Sequence, residues 1–112
     1  MPVARLAGVG LHYLQFPCRL ENVPPPCGDL VLVHGLAANL GFWHLGIVRP
    51  LSQLCSLTAY DLRGHGRSDI PAQGYSPQVL VHDLARLLDY LKLERVHLLA
   101  HSYGGAVALL FA

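Results

Sequence analysis

Val96-His97-Leu98-Leu99-Ala100-His101-Ser102-Tyr103-Gly104-Gly105-Ala106-Val107 decides the fold. Val96 to Ala100 has the length and apolar content of a strand covered on both faces, as a parallel sheet requires. Gly104 to Ala112 reads as an apolar helix, so the chain must turn sharply at Ser102. Ala100 and Gly104 stand two residues before and two after that serine, where larger side chains would strike backbone in so tight a bend. This is the spacing of a nucleophile elbow, with alanine where glycine is usual at the first small position. Such a bend lifts the Ser102 hydroxyl above the sheet edge. It also aims the first amides of the new helix, Tyr103 foremost, at negative charge forming beside it. The same stretch fits an ordinary strand-to-helix turn that ends in a solvated serine.

Upstream, Leu30 to Val33 is a short, wholly apolar strand candidate followed directly by His34-Gly35-Leu36. Gly35 permits a turn and frees the Leu36 N–H to face a cleft, so Leu36 and Tyr103 could converge as two oxyanion-binding amides. A histidine ending a strand is more usually a structural hydrogen bonder. The apolar run Leu57 to Tyr60 predicts another buried strand. It leads into Asp61-Leu62-Arg63-Gly64-His65-Gly66-Arg67-Ser68-Asp69, a structured loop by its glycines, charges and lack of periodicity.

Ser76 before Pro77 is a helix start, a capping hydroxyl ahead of a residue whose missing N–H would be unpaired anyway. The helix runs to about Lys92 with Leu80, Leu84, Leu87, Leu88 and Leu91 on one stripe. Asp83 with Arg86 and Asp89 with Lys92 are placed on the solvated side. Trp43 to Leu54 carries Leu45, Val48, Leu51 and Leu54 near helical spacing, with Pro50 delaying the helix start to about that residue. At the N-terminus, Gly10 to Phe16 alternates as a strand, with a weaker one at Val3 to Leu6, and Pro24-Pro25-Pro26 is a stiff connector. Alternating strands and helices predict an α/β, three-layer α/β/α architecture with a mostly parallel sheet and right-handed crossovers.

The 112 residues fit one domain. Only 13% are charged against roughly 25% in an average soluble domain. That is apolar for a free-standing unit this small, and it points to part of a larger domain. A net charge of +1 without a basic cluster argues against nucleic acid. No stretch reaches the roughly 18 apolar residues of a membrane span, and Met1 to Leu14 lacks the layout of a secretory signal. Cys18, Cys27 and Cys55 are odd in number and include no C-x-x-C pair, so neither a disulfide framework nor a thiolate metal site is expected, and a reducing, cytoplasmic compartment is the default.

With these motifs in place, the sequence resembles the α/β-hydrolase fold superfamily, from the strand at Gly10 to the helix at Ala112. Leu32-Val33-His34-Gly35-Leu36 is similar to its oxyanion strand and loop, with Trp43 resembling an aromatic residue often found downstream. Residues 61–69 are similar to the loop after its fourth strand, and Ala100-His101-Ser102-Tyr103-Gly104-Gly105 to its elbow. The resemblance implies that Ser102 is a catalytic nucleophile, that the Leu36 and Tyr103 amides bind the oxyanion, and that His34, Gly35, Ala100 and Gly104 support the motif. It further implies a small ester-like substrate and no cofactor. Members with aspartate at the elbow, including dehalogenases and epoxide hydrolases, are disfavoured by Ser102.

In this fold the acid and the histidine follow the serine, yet Tyr103 to Ala112 holds no Asp, Glu or His. Residues 1–112 therefore read as the N-terminal part of the domain, inactive and poorly soluble alone, with Val96 to Ala100 left as an apolar edge. A truncated or degenerate binding module is the alternative. A phosphate or dinucleotide binder is a third, weak reading, since neither Gly64-His65-Gly66 nor the pair Gly104 and Gly105 makes a full fingerprint. The remaining histidines offer no substitute base. His101 diverges from Ser102 and reads as packing, while His65, Asp61 and Asp69 read as loop braces. His97 and His101 suit a metal only on a helix, and His12, His44 and His82 show no constellation. Leu36, Phe42, Trp43 and Tyr103 either line an apolar pocket near the serine or belong to the core.

Overall fold

The computed structural model describes residues 2–21 and 23–112, with the Leu45 side chain also outside the described set. A hairpin of β1 (Val3–Leu6) and β2 (Val9–Phe16) opens the chain, followed by β3 (Asp29–Val33) and β4 (Ser56–Tyr60). Helix α2 (Pro77–Tyr90), β5 (Val96–Ala100) and α3 (Tyr103–Phe111) complete it, and the short α1 (Val48–Leu51) lies between β3 and β4. The sheet has five strands in the order β1-β2-β4-β3-β5. β4, β3 and β5 are parallel, and β2 joins β4 antiparallel, so the sheet is mixed.

Alternation in the central strands builds two cores. Val31 and Val33 of β3 pack with Leu80, Leu84, Leu87 and Val107 of α2 and α3. Leu32, with Leu57 and Ala59 of β4, faces Leu40, Trp43 and Val48 on the other side. Period-two strands between helices thus produce the expected three layers. Because β3 and β5 run parallel with Val33 opposite Ala100, the loops leaving both strands emerge side by side.

The Trp43–Leu54 helix expectation needs correction. The segment forms a 3-10 helix, Leu40–Leu45, capped by the Asn39 side chain, and then the four-residue α1. Gly46, with φ 139°, separates them. Helix α1 begins at Val48 rather than at Pro50, since the first turn of a helix needs no intrahelical donor.

Asp83 is also corrected. It is 2% exposed, and the Arg63 guanidinium donates Nε to its Oδ2 (2.6 Å) and NH2 to its Oδ1 (2.8 Å). Position 83 borders Leu80 and Leu87 at the edge of the inward face, where a two-pronged partner from the 61–69 loop outcompetes the exposed Arg86.

Cys27 and Cys55 form a disulfide, with Cα atoms 5.1 Å apart, where none was expected. They precede the register pair Asp29–Ser56 of adjacent parallel strands, a proximity that only the topology creates.

Candidate active site

Ser102 joins β5 to α3 with φ 55° and ψ −120°. A side chain in this region is strained by about 1–3 kcal/mol and persists only where its surroundings impose it. The constraint is visible. Gly104 and Gly105 N–H groups donate to the His101 and Ser102 carbonyls, starting the helix immediately. A Cβ on Gly104 would collide with the Val33 and His34 carbonyl oxygens, so only glycine lets the helix start this close to β3. The serine is exposed, and its side chain makes no hydrogen bond to cap the helix.

The loop after β3 presses on this bend. A Cβ at Gly35 would lie 3.1 Å from the Ser102 Cβ and 3.2 Å from His101 Nδ1. His34 is fully buried, with Nδ1 2.7 Å from the Gly35 carbonyl, while the Leu62 N–H donates to its Nε2 at 3.0 Å. These partners assign the proton to Nδ1. Burial lowers the His34 pKa by penalising the imidazolium, the Gly35 hydrogen bond opposing this in part.

Two further contacts tie this loop to residues 61–69. The Ala37 N–H donates to His65 Nε2 at 3.0 Å, and the Leu40 N–H to Asp61 Oδ1 at 2.7 Å. Asp61 is 2% exposed and also accepts from the Arg67 N–H and pairs with His12 Nδ1 at 2.8 Å. His12 thus belongs to a buried cluster that sequence reading missed. The two residues are 49 apart and share no local spacing, and the signal was a polar residue in mid-strand. As expected, His65 and Asp61 brace. Asp69 does too, accepting from the Gly10 N–H and from Arg5, and these contacts hold its carboxyl below the usual range.

The apolar residues named for a pocket divide between core and surface. Trp43 is 3% exposed within the core, whereas Leu36 stands 67% exposed. Phe42 stacks on His101, ring centroids 4.7 Å apart, and the half-buried Tyr103 packs against the α2 core. Among the described residues, no group of three or more His, Cys, Asp or Glu could hold a metal, and no helix is long and apolar enough to cross a membrane.

A three-layer sheet protein with a strained serine between strand and helix, set against a His-Gly loop, defines a class, and comparison with known proteins gives the family. Residues 29–112 match the alpha/beta hydrolase fold family, and the chain belongs to it. It is 40% identical over 83 residues to an uncharacterised protein of Mycobacterium tuberculosis, a match covering 74% of this chain and 24% of that one. It is 32% identical to the soluble epoxide hydrolase of a Corynebacterium species, over 74% of this chain and 29% of the relative. The crystal structure of the enol-lactonase from Burkholderia xenovorans LB400 superposes with a TM-score of 0.87 at 33% identity, covering 99% of this chain and 41% of that one. The chain thus spans between a quarter and two fifths of the length of these proteins.

Proposed function

We propose that the protein is a serine hydrolase acting on an ester, thioester or related carbonyl, with Ser102 as nucleophile. Attack would form a tetrahedral oxyanion held by the Leu36 and Tyr103 amides, then an acyl-enzyme that water releases. The observation that carries this reading is the strained Ser102 backbone, φ 55° and ψ −120°, with its hydroxyl uncommitted to helix capping. The likeness to an enol-lactonase supports a carbonyl substrate. His34, Gly35, Ala100 and Gly104 would shape the turns without touching substrate. The general base and its orienting acid would lie in the rest of a longer protein, since residues 103–112 hold neither. Residues 1–112 would then be the N-terminal part of the catalytic domain, inactive alone, because a serine without its base loses most of its rate enhancement.

Fluorophosphonate labelling of the full-length protein tests the proposal. The native enzyme should be modified on Ser102, and Ser102→Ala should abolish labelling. An unlabelled, folded native protein would overturn the covalent mechanism.

A further inference from the structure

The turn carrying Leu36 is unusual in its sequence. The Ala38 N–H donates to the Gly35 carbonyl, closing a four-residue turn, and Ala37 at its third position has φ 63° while Leu36 is not in the positive-φ region. That is the pattern of a type II turn, which normally places glycine third because a Cβ disfavours the left-handed region. Alanine stands there instead, so something outside the turn must hold it.

We infer that His65 is a positioning residue for the oxyanion loop: its Nε2 accepts the Ala37 N–H and keeps the turn under Leu36 in the strained form. This rests on the Ser102 and Leu36 reading above. The hydrogen-bond pattern is self-consistent. His65 Nδ1 lies 3.0 Å from the Arg63 carbonyl, which can only accept, so Nδ1 carries the proton and Nε2 presents a lone pair. The Ala37 N–H points at that lone pair at 3.0 Å. A type I turn relieves Ala37 by turning over the peptide between Leu36 and Ala37, and the N–H then leaves His65 while the Leu36 carbonyl swings towards the ring. Two acceptors would face each other, so His65 selects the strained turn both by attraction and by repulsion of its alternative. His34 uses the same arrangement one layer deeper, Nδ1 towards the Gly35 carbonyl and Nε2 accepting from Leu62, and the two rings lie 5.2 Å apart. Residues 61–69 thereby set both ends of the peptide segment that presents the Leu36 amide.

The test compares His65→Ala, His65→Gln, Ala37→Gly and the double variant His65→Ala with Ala37→Gly in the full-length enzyme. Turnover of a p-nitrophenyl ester, fluorophosphonate labelling rate and hydrogen exchange of the Ala37 amide are the readouts. His65→Ala should lower kcat and labelling about tenfold with KM within about twofold, and should expose the Ala37 amide to exchange. His65→Gln, whose amide oxygen can accept the same N–H, should recover most of the loss. With glycine at 37 the turn is unstrained, so adding His65→Ala there should cost less than it does with alanine. Unchanged kcat in a folded His65→Ala protein, equal damage in both His65 variants, or strict additivity with Ala37→Gly would overturn the inference. Should the native protein resist fluorophosphonate, the nucleophile reading fails, whereas Ala37 exchange in native and His65→Ala protein still decides whether His65 holds the turn.

Discussion

The two strands that carry the site are neighbours in one sheet and yet differ sharply in what surrounds them. On β3, Val31, Leu32 and Val33 are wholly buried between β4 and β5, and His34 beyond them is buried too. No residue of β5 is fully buried, His97 is exposed, and the following helix shows Leu109 at 81% and Leu110 at 50% exposure. The histidine loop is therefore set by a hydrogen-bonded interior, while the strained serine stands on an edge. The contrast teaches that the described core fixes the geometry around Ser102 from one side only. An apolar strand without a second neighbour is a template for pairing, so the chain expressed alone should be found in the insoluble fraction, or in the void volume of a sizing column.

The strongest way to break the contrast is to damage the buried half from a distance. Asp83→Ala leaves the Arg63 guanidinium buried without its carboxylate, and Arg63 also donates to the Gly74 carbonyl, so the 61–69 loop loses its hold on α2. Removing one member of a buried pair costs about 3–5 kcal/mol. Urea unfolding of the full-length protein should show that loss, and a cost below about 1 kcal/mol would mean that the pair is effectively solvated.

The same pair shows where sequence reading stopped. The cap at Ser76, the apolar stripe of α2, all five strands and the sharp turn at Ser102 were legible because each is a local pattern of period, capping group or small-residue spacing. Arg63 with Asp83, His12 with Asp61, and Cys27 with Cys55 are separated by 20, 49 and 28 residues, and no periodicity links their members. Asp83 was misplaced for a related reason. A carboxylate at an i, i+3 spacing from Arg86 satisfies the rule for a solvated pair, and the better partner becomes visible only once the loop after β4 folds over α2. Helix α1 begins before Pro50 because proline reads as a barrier while inside a first turn it is none.

A smaller effect sharpens the picture at His34. Its pKa is lowered in the folded state, mainly by burial, so the unfolded chain takes up the proton first as pH falls. Stability from the neutral ring is then fully present above the ordinary value of 6.5 and declines as pH drops below it, until the folded protein is protonated as well. Unfolding midpoints measured between pH 8 and pH 5 should fall, and His34→Gln, which keeps an acceptor for the Leu62 N–H but does not titrate, should flatten that part of the slope. An identical slope in both proteins would place the acid sensitivity in other groups.

The smallest change separates solubility from stability on the bare half. Leu109 on α3 is 81% exposed, so Leu109→Glu removes little buried surface, and exposed substitutions of this kind usually fall within about 0.5 kcal/mol. In the isolated chain the added charge should nonetheless raise the soluble yield, because it interrupts the apolar face presented by Leu109 and Leu110. In the full-length protein the outcome depends on whether that face is covered. If Leu109→Glu there costs about 2 kcal/mol or more, the leucine is buried in the assembled protein, at the usual value of an apolar side chain taken from water. A neutral result in both settings would mean that α3 faces solvent throughout, leaving the free edge of β5 as the source of any aggregation.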